Sequence, residues 1–246
     1  MKSLRFFFLF FFFSCNQEKI KKEFFPSGEL KIKVQTDNNG KPNGVYQEYY
    51  KSGELRMKTN YSKKRSIDTT FIYYKNGKIK EKGILQDNLK TGWWKYYNSS
   101  GLLINKNEYK IINNGVYKNQ SIHYSKKGSI IDSISSFYTL KIPDTLKLGK
   151  NVAHINYNSN FNADEKHLYI IIDNNYSDSE IKRDTFIEKP NKSRFGIFTH
   201  KKGVKMVKGT IIEQLLYKKK INSDSLELKI EEHKKYFEKE VYVKGR

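Results

Sequence analysis

One phrase recurs five times in the first half of this 246-residue chain: an aromatic pair, a short polar step and a glycine. The copies are Phe24-Phe25-Pro26-Ser27-Gly28, Tyr49-Tyr50-Lys51-Ser52-Gly53, Tyr73-Tyr74-Lys75-Asn76-Gly77, Tyr96-Tyr97-Asn98-Ser99-Ser100-Gly101 and the degenerate His123-Tyr124-Ser125-Lys126-Lys127-Gly128. Gly28, Gly53, Gly77, Gly101 and Gly128 stand 25, 24, 24 and 27 residues apart. A period of this size indicates stacked units, each burying a face against the next. A second landmark falls between the phrases: Gly44-Val45-Tyr46, Gly92-Trp93-Trp94 and Gly115-Val116-Tyr117. Thr70-Phe71 fills that place in the remaining copy, without the glycine.

Each unit reads as a β-hairpin. Aromatic residues favour strands, the Ser-Gly or Asn-Gly step supplies a residue that tolerates positive φ, and the stretches that follow alternate, as in Leu30, Ile32 and Val34 or Leu55 and Met57. About 24 residues hold two strands of about five to seven with their turns. Successive hairpins are therefore expected to form an antiparallel meander over residues 23–136, with the aromatics in columns across it and Gly28, Gly53, Gly77, Gly101 and Gly128 at the turns.

At these residues the chain resembles the MORN-repeat variant family, with its pattern Gly-x-aromatic-x-x-Tyr-Tyr-x-x-Gly-x-Leu. That family is common in bacterial lipoproteins and in YwqK-type proteins labelled antitoxins. The resemblance covers about residues 23–128 and implies an architecture. Scaffolding at membranes or neutralisation of a partner toxin are what the two branches of the family would imply.

The N-terminus carries an address. Met1, Lys2 and Arg5 form a short basic segment, Phe6 to Phe13 are eight apolar residues in a row, and Ser14 precedes Cys15, the only cysteine. This is the layout of an export signal, residues 1–14, too short for a spanning helix of about 20 residues. Phe12-Phe13-Ser14-Cys15 resembles the bacterial lipoprotein box, with Phe12 in place of the usual aliphatic residue. The resemblance implies cleavage before Cys15, a diacylglyceryl thioether on it and usually a third, palmitate-like chain; two or more chains anchor stably. Residues 15–22 then read as lipidated cysteine and polar tether; where some bacterial lipoproteins carry an acidic surface-export stretch after the cysteine this chain has Asn16-Gln17-Glu18-Lys19, so the resemblance implies an outer-membrane protein facing the periplasm.

From about Phe137 the period stops. Tyr138, Leu140 and Ile142 alternate, Pro143-Asp144 marks a turn, and His154 to Tyr157 and Leu168 to Ile172 read as strands. Phe195 to Ile197 follow, then Val204 to Leu216 interrupted at Gly209, and a last strand near Tyr236 to Val243. About seven short strands over residues 137–246 suggest a β-sandwich, for which an immunoglobulin-like one is the nearest pattern. A helix over Ser225 to Glu240 competes, but Leu226, Leu228 and Ile230 keep a period of two. The expected fold class is all-β, a hairpin meander followed by a sandwich.

Forty-seven Lys+Arg against 26 Asp+Glu give a formal charge of +21. Only six of the basic residues are arginine, and abundant Lys, Asn, Ile, Phe and Tyr are what an AT-rich genome would supply, so no nucleic-acid partner is expected. His123, His154, His167, His200 and His233 are scattered, without the converging ligands a zinc site needs. Asp173, Asn175, Ser177, Asp178 and Glu180 concentrate oxygens but lack an EF-hand spacing, and a polar turn explains them. No nucleophile elbow, phosphate loop or dinucleotide fingerprint is present in the sequence. No metal, cofactor or catalytic residue is expected.

Aromatic side chains beside cations can stack on sugars and bind anions. The densest such group is Trp93, Trp94, Tyr96 and Tyr97 amid Lys90 and Lys95, and Tyr49, Tyr50, Tyr73 and Tyr74 extend it along the repeats. Packing between units is the simpler use of these rings, yet alternation leaves one of each pair on the opposite face as a candidate binding surface. The leading expectation is a lipid-anchored, non-enzymatic binding or scaffold protein of a bacterial envelope, with a membrane contact through Cys15 and an envelope protein or glycan as partner. An antitoxin-like neutraliser, or an envelope-polymer enzyme using two carboxylates in one cleft, are the alternatives.

Overall fold

The computed structural model of the chain describes residues 19–61, 67–189, 193–222 and 225–245. The expected export signal, the lipobox-like junction and Cys15 lie outside the described residues. Nine strands, β1 (Lys19–Phe24), β2 (Leu30–Thr36), β3 (Pro42–Tyr49), β4 (Leu55–Tyr61), β5 (Ile67–Tyr73), β6 (Ile79–Gln86), β7 (Leu89–Tyr97), β8 (Leu103–Ile112) and β9 (Gly115–His123), form one sheet in sequence order. Every neighbour is antiparallel.

The recurring phrase is a recurring turn. In each copy an amide donates across the loop and the glycine amide closes it: Tyr50 N–H to Glu54 O and Gly53 N–H to Tyr50 O, both 2.9 Å, repeated at Phe25, Tyr74, Asn98 and Ser125. Gly28, Gly53, Gly77, Gly101 and Gly128 all have φ between 78° and 96°, which a Cβ would strain. The alternate turns at Asp87-Asn88 and Asn113-Asn114 put both central residues at positive φ, as a two-residue hairpin loop requires.

The second tyrosine of a pair ties one unit to the next. Tyr50 Oη donates to the carbonyl of Tyr73, and Tyr74 Oη to that of Tyr97, each at 2.8 Å. Each bond spans 23 residues and ends at the close of the strand that leads into the next turn. Lys19 to Lys22 were expected in a tether, but they form most of β1, paired from Lys19 with Thr36 onward. All of β1 is exposed. Its lysines are what an unpaired sheet edge carries, not a sign of missing structure.

After two isolated bridges, Tyr124 to Ile130 and Ser121 to Ser136, and a short 3₁₀ turn (Asp132–Ile134), the second half runs through β10 (Phe137–Lys141), β11 (Thr145–Lys147), β12 (Gly149–Asn158), β13 (Glu165–Asn175), β14 (Ile181–Glu188), β15 (Ser193–Thr199), β16 (Gly203–Lys220) and β17 (Leu226–Lys244). One sheet has the order β10-β12-β15 and the other β11-β17-β16-β13-β14. The opening strand splits between the sheets, with β10 antiparallel to β12 and β11 parallel to β17. The chain then crosses between sheets after β12, β14 and β15, which is the Greek-key order of an immunoglobulin-like sandwich.

Ile155, Leu168, Ile170, Phe195, Ile211 and Phe237 fill the space between the two sheets and are completely or almost completely buried. One expectation for this half changes and one holds. Gly209 does not interrupt β16, which continues for 18 residues. It is small because a Cβ there would lie 2.3 Å from the Phe237 ring and 2.7 Å from the Ile171 carbonyl. The competing helix at 225–240 is absent, since β17 pairs with β16 residue for residue from Leu226 to Val243.

Candidate binding cleft between the repeat sheet and the sandwich

The repeat sheet leans over the outer face of the five-stranded sheet and encloses an open cleft of about 1030 Å³. One wall is the end of the repeat sheet, with Gly92, Tyr109, Ile111 and Ile112; the other is the sandwich, with Ile171, Thr210, Ile212 and Tyr236. Charge of both signs lines it: Glu108, Asp173 and Glu238 beside Lys110, Arg183, Lys208 and Lys234. Lys110 Nζ lies 3.3 Å from Glu238 of the opposite wall, and Arg183 Nε 3.0 Å from Asp173.

What sets the two walls is a bulge in β9. Glu108 pairs with Gln120 and Tyr109 with Lys118, so Asn119 is the extra residue and its side chain is turned out of the ladder. It reaches the free edge of β17, where its Oδ1 accepts the Tyr236 N–H at 2.7 Å and its Nδ2 donates to the Tyr236 carbonyl at 2.8 Å. Glu108 Oε2 accepts from Asn119 Nδ2 at 2.5 Å and from Gln120 Nε2 at 2.7 Å. Tyr138 Oη also donates to the Tyr236 carbonyl, and Tyr117 Oη to that of Lys234. Burial raises the Tyr138 hydroxyl's pKa well above the ordinary phenol value.

Behind this clasp sits a buried lysine. Lys235 Nζ donates to the carbonyls of Asn119 at 3.1 Å and Ser136 at 3.4 Å, joining the two halves again. Desolvation pushes its pKa down to about 8, against the opposing pull of Glu213 and Glu108. Glu213 is itself fully buried and accepts from Tyr157 Oη at 3.0 Å. Burial, together with that carboxylate, raises the Tyr157 pKa strongly.

The aromatic residues expected to form a binding surface divide into different roles. Trp94 is only 1% exposed, so it is not a surface residue. Its ring lies over Gly83, where a Cβ would come within 2.3 Å, and its Nε1 donates to the Ile84 carbonyl at 3.0 Å. Tyr96 is half-buried; its hydroxyl meets that of Tyr109 at 2.7 Å, and burial raises its pKa strongly. Lys90 Nζ sits 4.2 Å from the Trp94 ring centre and 5.1 Å from that of Tyr96, and donates to Glu81 at 2.8 Å. The chain thus fills its own aromatic cage. Tyr109 belongs both to this cluster and to the cleft wall.

Trp93 remains accessible, with Lys106 Nζ 4.7 Å above its ring. Tyr49, Tyr73 and Tyr97 are half-buried on the sheet, while Tyr50 and Tyr74 are held by the unit-to-unit bonds described above. The sequence reading missed the cleft because its lining comes from both halves. The signal available was Asn119-Gln120, two amides in a strand position flanked by Tyr117 and Ile122.

Oxygens in the 173–180 stretch are engaged by neighbouring side chains. Asp173 meets Arg183, and Asp178 meets His200 at 3.0 Å and Lys201 at 3.6 Å. Among the described residues no three His, Cys, Asp or Glu side chains gather to hold a metal ion, and no helix is long and apolar enough to cross a membrane. No family model matches the chain, and no curated protein or solved structure matches it either.

Proposed function

We propose that this chain is a lipid-anchored, non-enzymatic binding or scaffold protein of a bacterial cell envelope, which holds a protein or glycan partner in the cleft between repeat sheet and sandwich. The observation that carries this reading is the cleft itself. It is large enough for a chain segment, lined by a mixture of apolar residues and charges of both signs, and fixed by side chains that cross between the two halves. The lipobox-like junction at Cys15 and the resemblance of residues 23–128 to MORN-variant repeats supply the proposed address.

A cleft with carboxylates from both halves also bears on the hydrolase alternative. Asp173 and Glu238 of the sandwich each have a cation at salt-bridge distance, Arg183 and Lys110, and Glu108 of the repeat sheet accepts from the amides of Asn119 and Gln120. That arrangement suits a charged binding wall better than an acid and base poised on one bond.

The test is recovery of the partner from whole cells by crosslinking and purification of the mature protein, alongside R183E/K234E, which reverses two cleft charges without touching the Asn119 side chain. A partner captured by the natural chain and lost from the variant supports the reading. Equal capture by both, or none by either, contradicts it. Mass spectrometry of the mature N-terminus tests the address separately, with a diacylglyceryl-modified Cys15 as the expected species.

A further inference from the structure

Strand β17 leaves the sandwich with one edge unpaired. On one side it pairs with β16 along its length; on the other, β11 covers only Tyr242 to Lys244, and the side chains of Asn119, Tyr138 and Tyr117 cap Lys234 to Tyr236. The backbone groups of Lys234, Tyr236 and Tyr242 all face this edge. The register with β16 is unbroken, so those of Leu226, Leu228, Ile230 and Glu232 face it too. No strand covers them among the described residues. Beside that open edge Leu226, Leu228 and Ile230 are 52%, 55% and 57% exposed on one face.

The sequence of this edge is complementary to itself. An antiparallel copy centred on Leu228 sets Leu228 opposite Leu228, Leu226 opposite Ile230, and Glu227 opposite Lys229, twice by symmetry. The even residues, whose backbone groups point outward, fall in the hydrogen-bonded pairs. The opposite charges fall in the non-bonded pairs, where side chains lie closer. Among the described residues of one chain Glu227 meets Lys219 at 3.8 Å and Lys229 meets Glu231 at 2.6 Å, with Glu231 half-buried and the other three exposed. The first edge strand of the repeat sheet, β1, differs: three lysines, Lys19, Lys21 and Lys22, against the single Glu23 leave it with a net positive charge that repels its own copy.

We propose that β17 pairs antiparallel with β17 of a second copy about Leu228, continuing the five-stranded sheet across a two-fold dimer. The exposed apolar stripe of one chain then meets that of the other, and two Glu227–Lys229 pairs fix the register.

The experiment uses the full chain with C15S, so that an introduced thiol is the only one. Sedimentation should give a concentration-dependent dimer. K229E, which faces glutamate with glutamate, should weaken the dimer about tenfold or more, and E227K/K229E should restore it. In L228C the two thiols face each other at a Cα separation of about 5.5 Å, within disulfide range, and mild oxidation should link the chains. L226C faces Ile230 and should stay unlinked. Circular dichroism checks that these exposed substitutions leave the fold intact. A monomer at every concentration overturns the proposal, as does a dimer that K229E leaves unchanged or L228C fails to link. A monomer that instead sediments with anionic phospholipid vesicles, and loses that property in L228E, overturns it in favour of a lipid surface.

Discussion

The carboxamide of Asn119 replaces a missing strand for Tyr236, accepting its N–H at 2.7 Å and donating to its carbonyl at 2.8 Å. One bulged residue of the repeat sheet therefore closes part of an open edge of the sandwich and sets the angle between the two halves.

Removing that clasp should loosen the join. N119A leaves the Tyr236 N–H without its acceptor and Glu108 with one donor fewer, a loss of about 2–3 kcal/mol at a buried site. Denaturant unfolding should show the lower stability, and limited proteolysis should show earlier cutting between β9 and β10.

The tyrosine ties between units should act separately. Y50F and Y74F each remove one hydroxyl bond to a carbonyl one unit along, and each should lower stability by about 1 kcal/mol. The bonds share no partner, so the double variant should lose nearly the sum in chemical denaturation.

Gly83 and Trp94 are expected to be intolerant of change in opposite senses. G83A drives a methyl toward the indole and should cost about 1–3 kcal/mol by overpacking. W94A empties the same site and should cost about 3–5 kcal/mol. Emission from the remaining Trp93 in W94A should be red-shifted relative to the natural chain, because that ring is accessible.

Stability should rise with pH above neutrality because of Lys235. Its folded pKa, about 8, lies below the ordinary lysine value of 10.5, so between these values the unfolded chain binds more protons. The burial penalty is present in full below about pH 8 and is relieved as pH rises through the window, by up to about 3 kcal/mol. Lys205, lowered by burial as well, acts in the same sense. The buried tyrosines, raised by burial, oppose it once unfolded phenols ionise near pH 10. Unfolding curves between pH 8 and 10 should show the rise in the natural chain, and a much smaller one in K235M.

What the sequence made legible was local. The turn at each Ser-Gly or Asn-Gly step needs positive φ, and the glycine announces it. Leu226, Leu228 and Ile230 alternate because they lie on a strand, although on its exposed face. Interactions between distant positions were hidden. Trp93 and Trp94 look alike in the chain, and only the neighbouring Gly83 decides which ring is buried. Gly209 resembles a break until Phe237 is seen lying across it. The basic run at Lys19 to Lys22 resembles a tether because an edge strand and a solvated linker favour the same residues. The amide pair Asn119-Gln120 marks the place, but the role of Asn119 comes from a bulge and from a strand 117 residues later.

The central claim is that the cleft holds the partner. A photo-crosslinking residue placed at Ile112, on the cleft wall, is to be compared in living cells with one at Val116, 43% exposed on β9. The account predicts a discrete adduct from position 112, weakened by R183E/K234E, and little from position 116. Equal labelling from both positions, or an adduct at 112 indifferent to the cleft charges, would contradict it.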